Sequence, residues 1–577
     1  MQALLCASPR LHPADRDFLT PVPMNGEQDH LERLPRVETP EATFERTRQT
    51  QERRPPVDLV VSLSSLFFWH IHPWFAFLDI QHVYVEMGSS EDPTLLQYAL
   101  FGVSLPYSFD SRLDQKSSDS YWKYSKRRIF MESLEEPSYS SLEALIVLAL
   151  DLSGMTNGPQ VWGVLTVAIK LAAQLRNVGG LVFRTSVPDN ATESLGEMDK
   201  ICRQKLFWAL YTLDCYITLT TGHSSDLRDD LISHFLATRP QIWPKTSIPK
   251  GIVDHMALFP TIISGYHLEL LDISRKVHQV HINHAALRDD KESSFPWLDQ
   301  FQKCSAELIE WAHSLPSCLY FSNIKDMRRP SMIRMLPSLV MLHAFYHALV
   351  IHLHGLLSHS TYAAPQSPPS EDDRRESQSR CLHSISVLID IVSEWMDKIG
   401  DKLGWPLAWS MWVAVRYLLV HESSGGNSQV GNITTMLNFL RKMGRYWQIS
   451  GKYWRLLRQA FVELQTKGTS NQRRLQGILQ FVTDLRVSTS DLEDQFRVDP
   501  VLHSGRATQV QTAVTCEDGS LNAPVQGRQG VQGVLSDDTY FSDNWFQAPL
   551  FASSAYLQDF PAVSPEGNGC LQYGGTG

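Results

Sequence analysis

Apolar side chains recur every three or four residues along most of the chain between Val57 and Phe496. The stretch that begins at Ser141 is typical, because Leu142, Leu145 and Leu148 fall on one face of a helix. No stretch of useful length alternates apolar and polar residues as a half-buried strand does. The pattern therefore predicts an all-α fold built from many helices.

The strongest segments are predicted individually as helices. They are a segment starting at Ser141, then 162–175, 203–219, 267–282, 297–313, 338–357, 379–399, 408–421, 433–445 and 472–485. The pair Gly179-Gly180 is expected to end the second of them. Residues 358–378, rich in Pro, Ser and charge, are expected to form an exposed loop. The segment 335–357 is apolar enough to cross a membrane, but its proline and four histidines favour a buried core helix of a soluble protein.

Both ends of the chain lack this pattern. Residues 1–56 are rich in Pro, Arg, Glu and Thr, and residues 498–577 are rich in Gly, Gln, Ser and Thr, so both are predicted to be disordered. The helical domain is accordingly expected to span 57–497. Within the tail, residues 535–560 mix acids with aromatic rings, and no Lys or Arg follows Arg528. We interpret this acidic-aromatic segment as an activation or docking segment, the alternative being an inert tail. Its leading residues are Asp537, Asp538, Tyr540, Phe541, Asp543, Trp545 and Phe546.

Composition and charge narrow the class of protein. The chain has 577 residues, of which 43% are hydrophobic and 20% charged, and this is globular composition. Its 52 bases and 62 acids give a net charge of −10, which excludes a protein that coats nucleic acid by bulk charge. Any nucleic-acid contact would need a local basic patch. The eight cysteines show no zinc-finger spacing and indicate a reducing compartment.

Candidate catalytic and metal-binding residues are few. Asp226, Asp229 and Asp230 lack the third acid that a magnesium-diphosphate motif requires, so a polar loop that caps a helix is favoured. Two groups of histidines have the helical spacing of metal ligands but no accompanying acid or cysteine, and we interpret them as structural. These groups are His278, His281 and His284, and His343 and His347. No catalytic, cofactor or metal residue is predicted. The alternative is a helical enzyme or small-molecule binder that brings His343, His347 or Asp229 into one pocket.

Several motifs occur together in a fixed order. An aromatic–His–Pro element at 68–78 is followed by SLEALIVLALDLSG (141–154), VWGVLTVAIKLAAQL (161–175), RQKLFWALYTLDCYITLTTG (203–222), LIEWAHSLP (308–316) and HAFYHALVIHLHG (343–355). In these motifs, residues 57–465 resemble the regulatory, or middle homology, domain of the fungal-specific transcription factor family of the xylanolytic-activator type. The motif residues are Trp162, Phe207, Trp208, Tyr211, Asp214 and Gly222. We interpret the rings as packing anchors and expect a partner for buried Asp214, either Arg203 or Lys205 or a residue of a neighbouring helix.

The chain also departs from the family pattern. Members of the family usually start with a six-cysteine zinc cluster, whereas only Cys6 precedes residue 57 here, so the zinc of the family has no ligands in this sequence. The usual Leu-Gly-Leu-His reads LRNV at 175–178, and the usual Gly-Arg-Pro reads Gly222-His223-Ser224. We therefore expect these two loops not to keep the contact or ligand roles that they have in the family.

The resemblance implies a nuclear regulator of RNA polymerase II transcription and not an enzyme. We expect it to control a pathway or a specialised-metabolite gene cluster. Its expected partners are a coactivator at the tail and a zinc-cluster transcription factor that makes the DNA contact, unless a zinc cluster is encoded upstream. The resemblance also allows a small-molecule effector and a homodimer, and no membrane partner is expected.

Overall fold

The computed structural model describes residues 52–89, 92–182, 192–227, 232–233, 259–286, 296–321, 335–358, 370–426, 428–466 and 482. Within these ranges the chain forms fourteen α-helices and no β-strand, which confirms the predicted all-α class. In chain order they are α1 (Val57–His70), α2 (Ile80–Ser89), α3 (Leu95–Ser104), α4 (Gln115–Glu135), α5 (Tyr139–Met155), α6 (Pro159–Val182), α7 (Thr192–Thr221), α8 (Phe259–Ala286), α9 (Pro296–Ser314), α10 (Leu336–Ser358), α11 (Glu371–Ile399), α12 (Trp405–Ser423), α13 (Val430–Met443) and α14 (Gln448–Thr466).

The helices predicted from apolar periodicity fall on α5 to α13, but several bounds differ. Helix α7 starts at Thr192 rather than at Arg203, and α8 starts at Phe259 rather than at His267. Helix α6 continues through Gly179-Gly180 to Val182, because the helix cost of glycine is small enough for the surroundings to override. Helix α11 starts at Glu371 rather than at Ser379, because Ser370 and Asp373 form a capping box and three acids in the first turn favour the helix N-terminus. Residues 371–378, expected in the exposed loop, are thus helical. Of the helix predicted at 472–485, only Val482 lies within the described ranges.

Helices α1 to α4 and α14 are not predicted individually from the apolar pattern. Helix α4 is polar over much of its length and depends on its cap, since the Asp114 side chain accepts a hydrogen bond from the backbone N–H of Ser117 at 2.7 Å. Helix α3 starts with a Thr94–Gln97 capping box. Capping signals therefore mark helices that hydrophobic periodicity alone does not reveal.

The described helices pack around a common hydrophobic core. Helices α1, α3, α4, α5 and α6 form the first part, and α7 and α8 connect it to α9 and α10. Helix α10 then packs on α11 and α12, and α12 packs on α13 and α14. Helix α14 returns to contact α5, so the end of the helical region meets its beginning. Helix α10 has the length and hydropathy of a membrane span, but 83% of its most apolar window is buried in the protein, which confirms a core helix at this position.

The return of α14 to α5 is centred on Trp447, which is 3% exposed. Its indole Nε1 donates to the carbonyl of Leu403 at 2.9 Å, and its ring makes an edge contact with Trp74 at 6.1 Å. On the α5 side only a glycine fits, because a Cβ on Gly154 would lie 2.2 Å from Cε3 of Trp447. One tryptophan thus joins α5, the segment after α1 and the segment before α12.

We predict that Gly154→Ala destabilises the protein by about 1–3 kcal/mol, because the added methyl group forces the Trp447 ring out of its packed position. The free energy of unfolding of the full chain in urea, followed by circular dichroism, measures the loss. The matched control is Gly431→Ala in α13, where an added Cβ meets nothing within 4 Å. The control is expected to be neutral or stabilising by up to about 1 kcal/mol. Equal loss in both variants would contradict the close fit.

Candidate functional site

The aromatic motif residues of α7 are buried side by side. Trp208 is 2% exposed and Tyr211 fully buried, and the Trp208 ring makes edge contacts with Phe207 at 5.5 Å and with Tyr211 at 5.4 Å. The hydroxyl of Tyr211 lies 3.5 Å from Oδ1 of Asp272 on α8. Burial raises the pKa of Tyr211 above its usual range. In the structure, these rings pack α7 against its neighbours.

Asp214 is the buried charge of this helix, at 2% exposed. The Ser225 hydroxyl donates to its Oδ2 at 2.5 Å, and the backbone N–H of Asp226 donates to its Oδ1 at 3.3 Å. Desolvation raises the pKa of Asp214 to about 6, and the Ser225 hydrogen bond and the positive charge of Arg275 on α8 oppose that rise. The carboxylate therefore holds the loop after α7 against the helix.

The expected partners of Asp214 are partly corrected. The charges that act on the pKa of Asp214 are those of Arg275 and Asp226, and Lys205 is not among them. The side chain of Arg203 lies outside the described residues. The cation comes from a neighbouring helix, as one of the predicted possibilities had it, and it is Arg275. The sequence does not indicate Arg275 or Ser225, because only the packing of α8 and the path of the loop bring them to Asp214.

Gly222 ends α7 in the left-handed conformation, with φ of 77°, and its N–H donates to the carbonyl of Thr218 at 2.9 Å. This is the usual glycine stop of a helix. The turn sends His223 towards α6, where its ring packs 4.8 Å from that of Trp162. The hydroxyl of Thr166, also on α6, donates to Asp226 of the same loop. The Gly-His-Ser departure from the family pattern thus contributes a ring contact between α6 and the loop after α7.

The acid cluster expected near this loop is only partly described. Asp226 is exposed and its carboxylate accepts a hydrogen bond from the Thr166 hydroxyl, whereas Asp229 and Asp230 lie outside the described residues. The tail residues Asp537, Asp538, Tyr540, Phe541, Asp543, Trp545 and Phe546 lie outside them as well. The interpretation of these residues stays a prediction.

The histidines of α8 make different contacts from one another. His281 stacks on His352 of α10 with ring centres 3.6 Å apart, and its Nε2 lies 3.0 Å from the carbonyl of His352. His284 instead makes an edge contact with Trp297 at 4.9 Å. Desolvation lowers the pKa of His278 to about 4 and that of His352 to about 3, so both rings are neutral at physiological pH. In the part of the chain that the structure describes, no three His, Cys, Asp or Glu side chains are placed to hold a metal ion.

His343 and His347 make different contacts in the described structure. His343 Nε2 lies 2.7 Å from the carbonyl of Leu319, while the ring of His347 packs against Tyr346 at 5.0 Å. A surface groove of about 620 Å³ lies elsewhere, between α11 and the end of α12. Its walls include Arg375, Gln378, His383 and His421, and neither His343 nor His347 lines it. These positions give the enzyme alternative no support.

His354 shows what such buried rings do. It is 4% exposed and its two ring nitrogens lie 3.1 Å from the hydroxyl of Ser377 on α11 and 3.3 Å from that of Ser305 on α9. A neutral imidazole can donate to one hydroxyl and accept from the other. Desolvation, with a smaller effect of Arg380, lowers its pKa to about 4. The ring therefore joins three helices only in its neutral form.

We predict that His354 makes the protein less stable in acid. Because its pKa is lower in the folded than in the unfolded state, stability is lost as the pH falls below about 6.5 towards the folded pKa of about 4. Between about pH 7 and about pH 5 the loss from this group amounts to about 2 kcal/mol. His354→Gln is therefore expected to reduce the difference between urea unfolding free energies at the two pH values by that amount. His313→Gln on exposed α9 surface is the control and should leave the difference unchanged. If His354→Gln also leaves it unchanged, His354 titrates normally and the prediction is wrong.

Comparison with known proteins shows which proteins the helical region is similar to. Residues 64–313 match the family model of the fungal specific transcription factor domain, from within α1 to the last turn of α9. A relative in Schizosaccharomyces pombe, named an uncharacterized transcriptional regulatory protein, is 22% identical over 355 residues. The aligned part is 57% of this chain and 35% of the relative, so the chain spans about a third of that protein. The helices around Trp162, Asp214 and Gly222 lie inside the matched region. Residues 64–313 of this chain are therefore similar to the fungal specific transcription factor domain.

Proposed function

We propose that this protein regulates RNA polymerase II transcription in the nucleus. The observation that carries the proposal is the match of residues 64–313 to the fungal specific transcription factor domain. The name of the Schizosaccharomyces pombe relative, an uncharacterized transcriptional regulatory protein, supports it. On this proposal the helical region is a regulatory platform and the acidic-aromatic segment at 535–560 recruits a coactivator.

The chemistry of the described residues supports a platform rather than an enzyme. Buried Asp214 is held by the Ser225 hydroxyl, His343 lies on a backbone carbonyl and His354 bridges two serines. Each of these groups has a partner inside the fold, so none is directed at a substrate. We therefore propose that the protein performs no catalysis and acts through its surfaces.

The partners and targets follow from the family and are part of the proposal. A zinc-cluster transcription factor, or a zinc cluster encoded upstream, reads the DNA sequence. The regulated genes form a pathway or a specialised-metabolite cluster, and the protein activates them. A small-molecule effector of the helical region and a second copy of the chain are further partners within the same proposal.

We predict that the full chain, fused to an unrelated DNA-binding domain, activates a reporter gene and that Trp545→Ala with Phe546→Ala abolishes most of the activity. Bulky rings among acids supply the apolar contacts when such a segment folds on its coactivator, so their loss removes binding while the charge remains. Reporter output at matched protein levels, together with nuclear imaging of the unfused chain, is the measurement.

The control is Val531→Ala with Val534→Ala, which removes apolar atoms just outside the acidic-aromatic segment. It is expected to keep full activity. Reporter output at background level for the unaltered fusion, or equal loss in both double variants, would count against an activation role for residues 535–560. A cytosolic location of the unfused chain would count against the nuclear role as a whole.

A further inference from the structure

Every charged residue between Val430 and Val462 is a Lys or an Arg. This stretch contains six Lys and Arg residues and no Asp or Glu, although the whole chain carries a net charge of −10. The six bases are Arg441, Lys442, Arg445, Lys452, Arg455 and Arg458. We call them the basic face. The balance of the whole chain conceals this local excess of positive charge.

The fold gathers the basic face at the turn between α13 and α14. The two helices approach at their glycines, where a Cβ on Gly444 would lie 3.1 Å from the Cα of Gly451. The last turn of α13 therefore lies beside the first turns of α14. The apolar sides of both helices are in the core, with Leu440 and Leu457 fully buried. The bases lie on the opposite sides, where five are exposed and Lys452 is half-buried.

The arginines of the basic face are not paired with acids as the bases of neighbouring α11 are. There, Arg375, Arg380 and Lys398 each pair with an acid four residues earlier in the helix. On the basic face, Lys442 pairs with Asp397 at 2.6 Å, an exposed contact worth little. The four arginines form no ion pair with any acid of the residues that the structure describes. Their charge is therefore available to a negatively charged partner.

Aromatic rings hold some of these guanidinium groups in place. The guanidinium of Arg458 lies 5.4 Å from the ring centre of Trp454, and that of Arg445 lies 5.6 Å from Phe109 and 5.9 Å from Tyr446. Such stacking lowers the entropy that an arginine loses on binding. A planar guanidinium held in this way suits two-point hydrogen bonding to phosphate or carboxylate oxygens.

We propose that the basic face binds the backbone phosphates of duplex DNA. Phosphates occur at short, regular intervals along a duplex, and several arginines on two adjacent helices can contact them together. An acidic-aromatic peptide would instead need an apolar groove for its rings. On this face the rings of Trp454 and Tyr446 lie next to guanidinium groups, so charge dominates. The contact adds affinity without reading sequence, and it does not depend on the activation role of residues 535–560.

The proposal is tested by the binding of the full chain to a labelled duplex of arbitrary sequence. Fluorescence anisotropy measures the affinity between about 50 and about 200 mM salt. Affinity is expected to fall steeply with salt. Each phosphate contact contributes about 0.9 to the slope of log affinity against log salt, so Arg455→Gln with Arg458→Gln should reduce the slope by about 1.8. Arg441→Gln with Arg445→Gln tests the α13 side independently and should act in the same direction.

The matched control is Lys303→Gln with Arg375→Gln, which removes two exposed positive charges on α9 and α11. It changes the net charge equally and should leave the slope unchanged. Circular dichroism and the urea midpoint check that all variants are folded. Absence of salt-dependent duplex binding by the full chain, or the same slope in all variants, would overturn the proposal. A second result would also overturn it. In that result a synthetic peptide of residues 535–560 binds the full chain, its binding depends on Arg455 and Arg458, and the duplex does not bind.

Discussion

The packing of Trp447 against Gly154, Trp74 and Leu403 is the contact on which the helical fold depends. Helices that are adjacent in the chain can pack locally, but α14 and α5 are separated by most of the domain. Asn157, just after α5, donates to the Tyr453 hydroxyl of α14 at 3.0 Å across 296 positions of sequence. A contact between such distant segments must offset the entropy of closing a very long loop. A large buried ring that also forms a hydrogen bond is well suited to that task, because it excludes much apolar surface from water and leaves no donor unsatisfied.

The fit around this ring explains two glycines that no helix signal requires. Gly154 makes room for Trp447 itself, and Gly404 does the same for Trp74, since a Cβ there would lie 2.5 Å from the Trp74 ring. The aromatic–His–Pro element recognised in the sequence therefore has a specific role. His70 stacks on Tyr107 at 4.4 Å and its Nδ1 lies 3.2 Å from the Asp401 carboxylate, on the same side of the closure. The early aromatic residues fasten the start of the domain to the segment that precedes α12.

Features that depend on residues close together in the sequence could be predicted, and features that depend on distant contacts could not. Apolar periodicity identified α5 to α13, since a helix face buried in a core must repeat every three or four residues. It did not identify polar α4 or the early start of α11, whose stability comes from capping side chains. The partners of Asp214 could not be predicted, because Ser225 and Arg275 reach it only through the path of a loop and the packing of α8 on α7. The basic face was within reach of the sequence, since an acid-free run can be counted, but the net charge of the whole chain pointed away from it.

The uneven distribution of charge on the surface can orient a polyanion that approaches the domain. Three bases of the α11 surface pair with acids of the same helix, whereas from Val430 to Val462, across the turn between α13 and α14, every charged residue is of one sign. A polyanion approaching a protein with net charge −10 is repelled over most of the surface and attracted at that turn, so the encounter is oriented before contact. The basic face attracts the acids of residues 535–560 in the same way, so a bound duplex competes with them and its phosphates repel them. On the proposed arrangement, phosphate contact at α13 and α14 therefore leaves the acidic-aromatic segment unbound by the basic face and available to a coactivator.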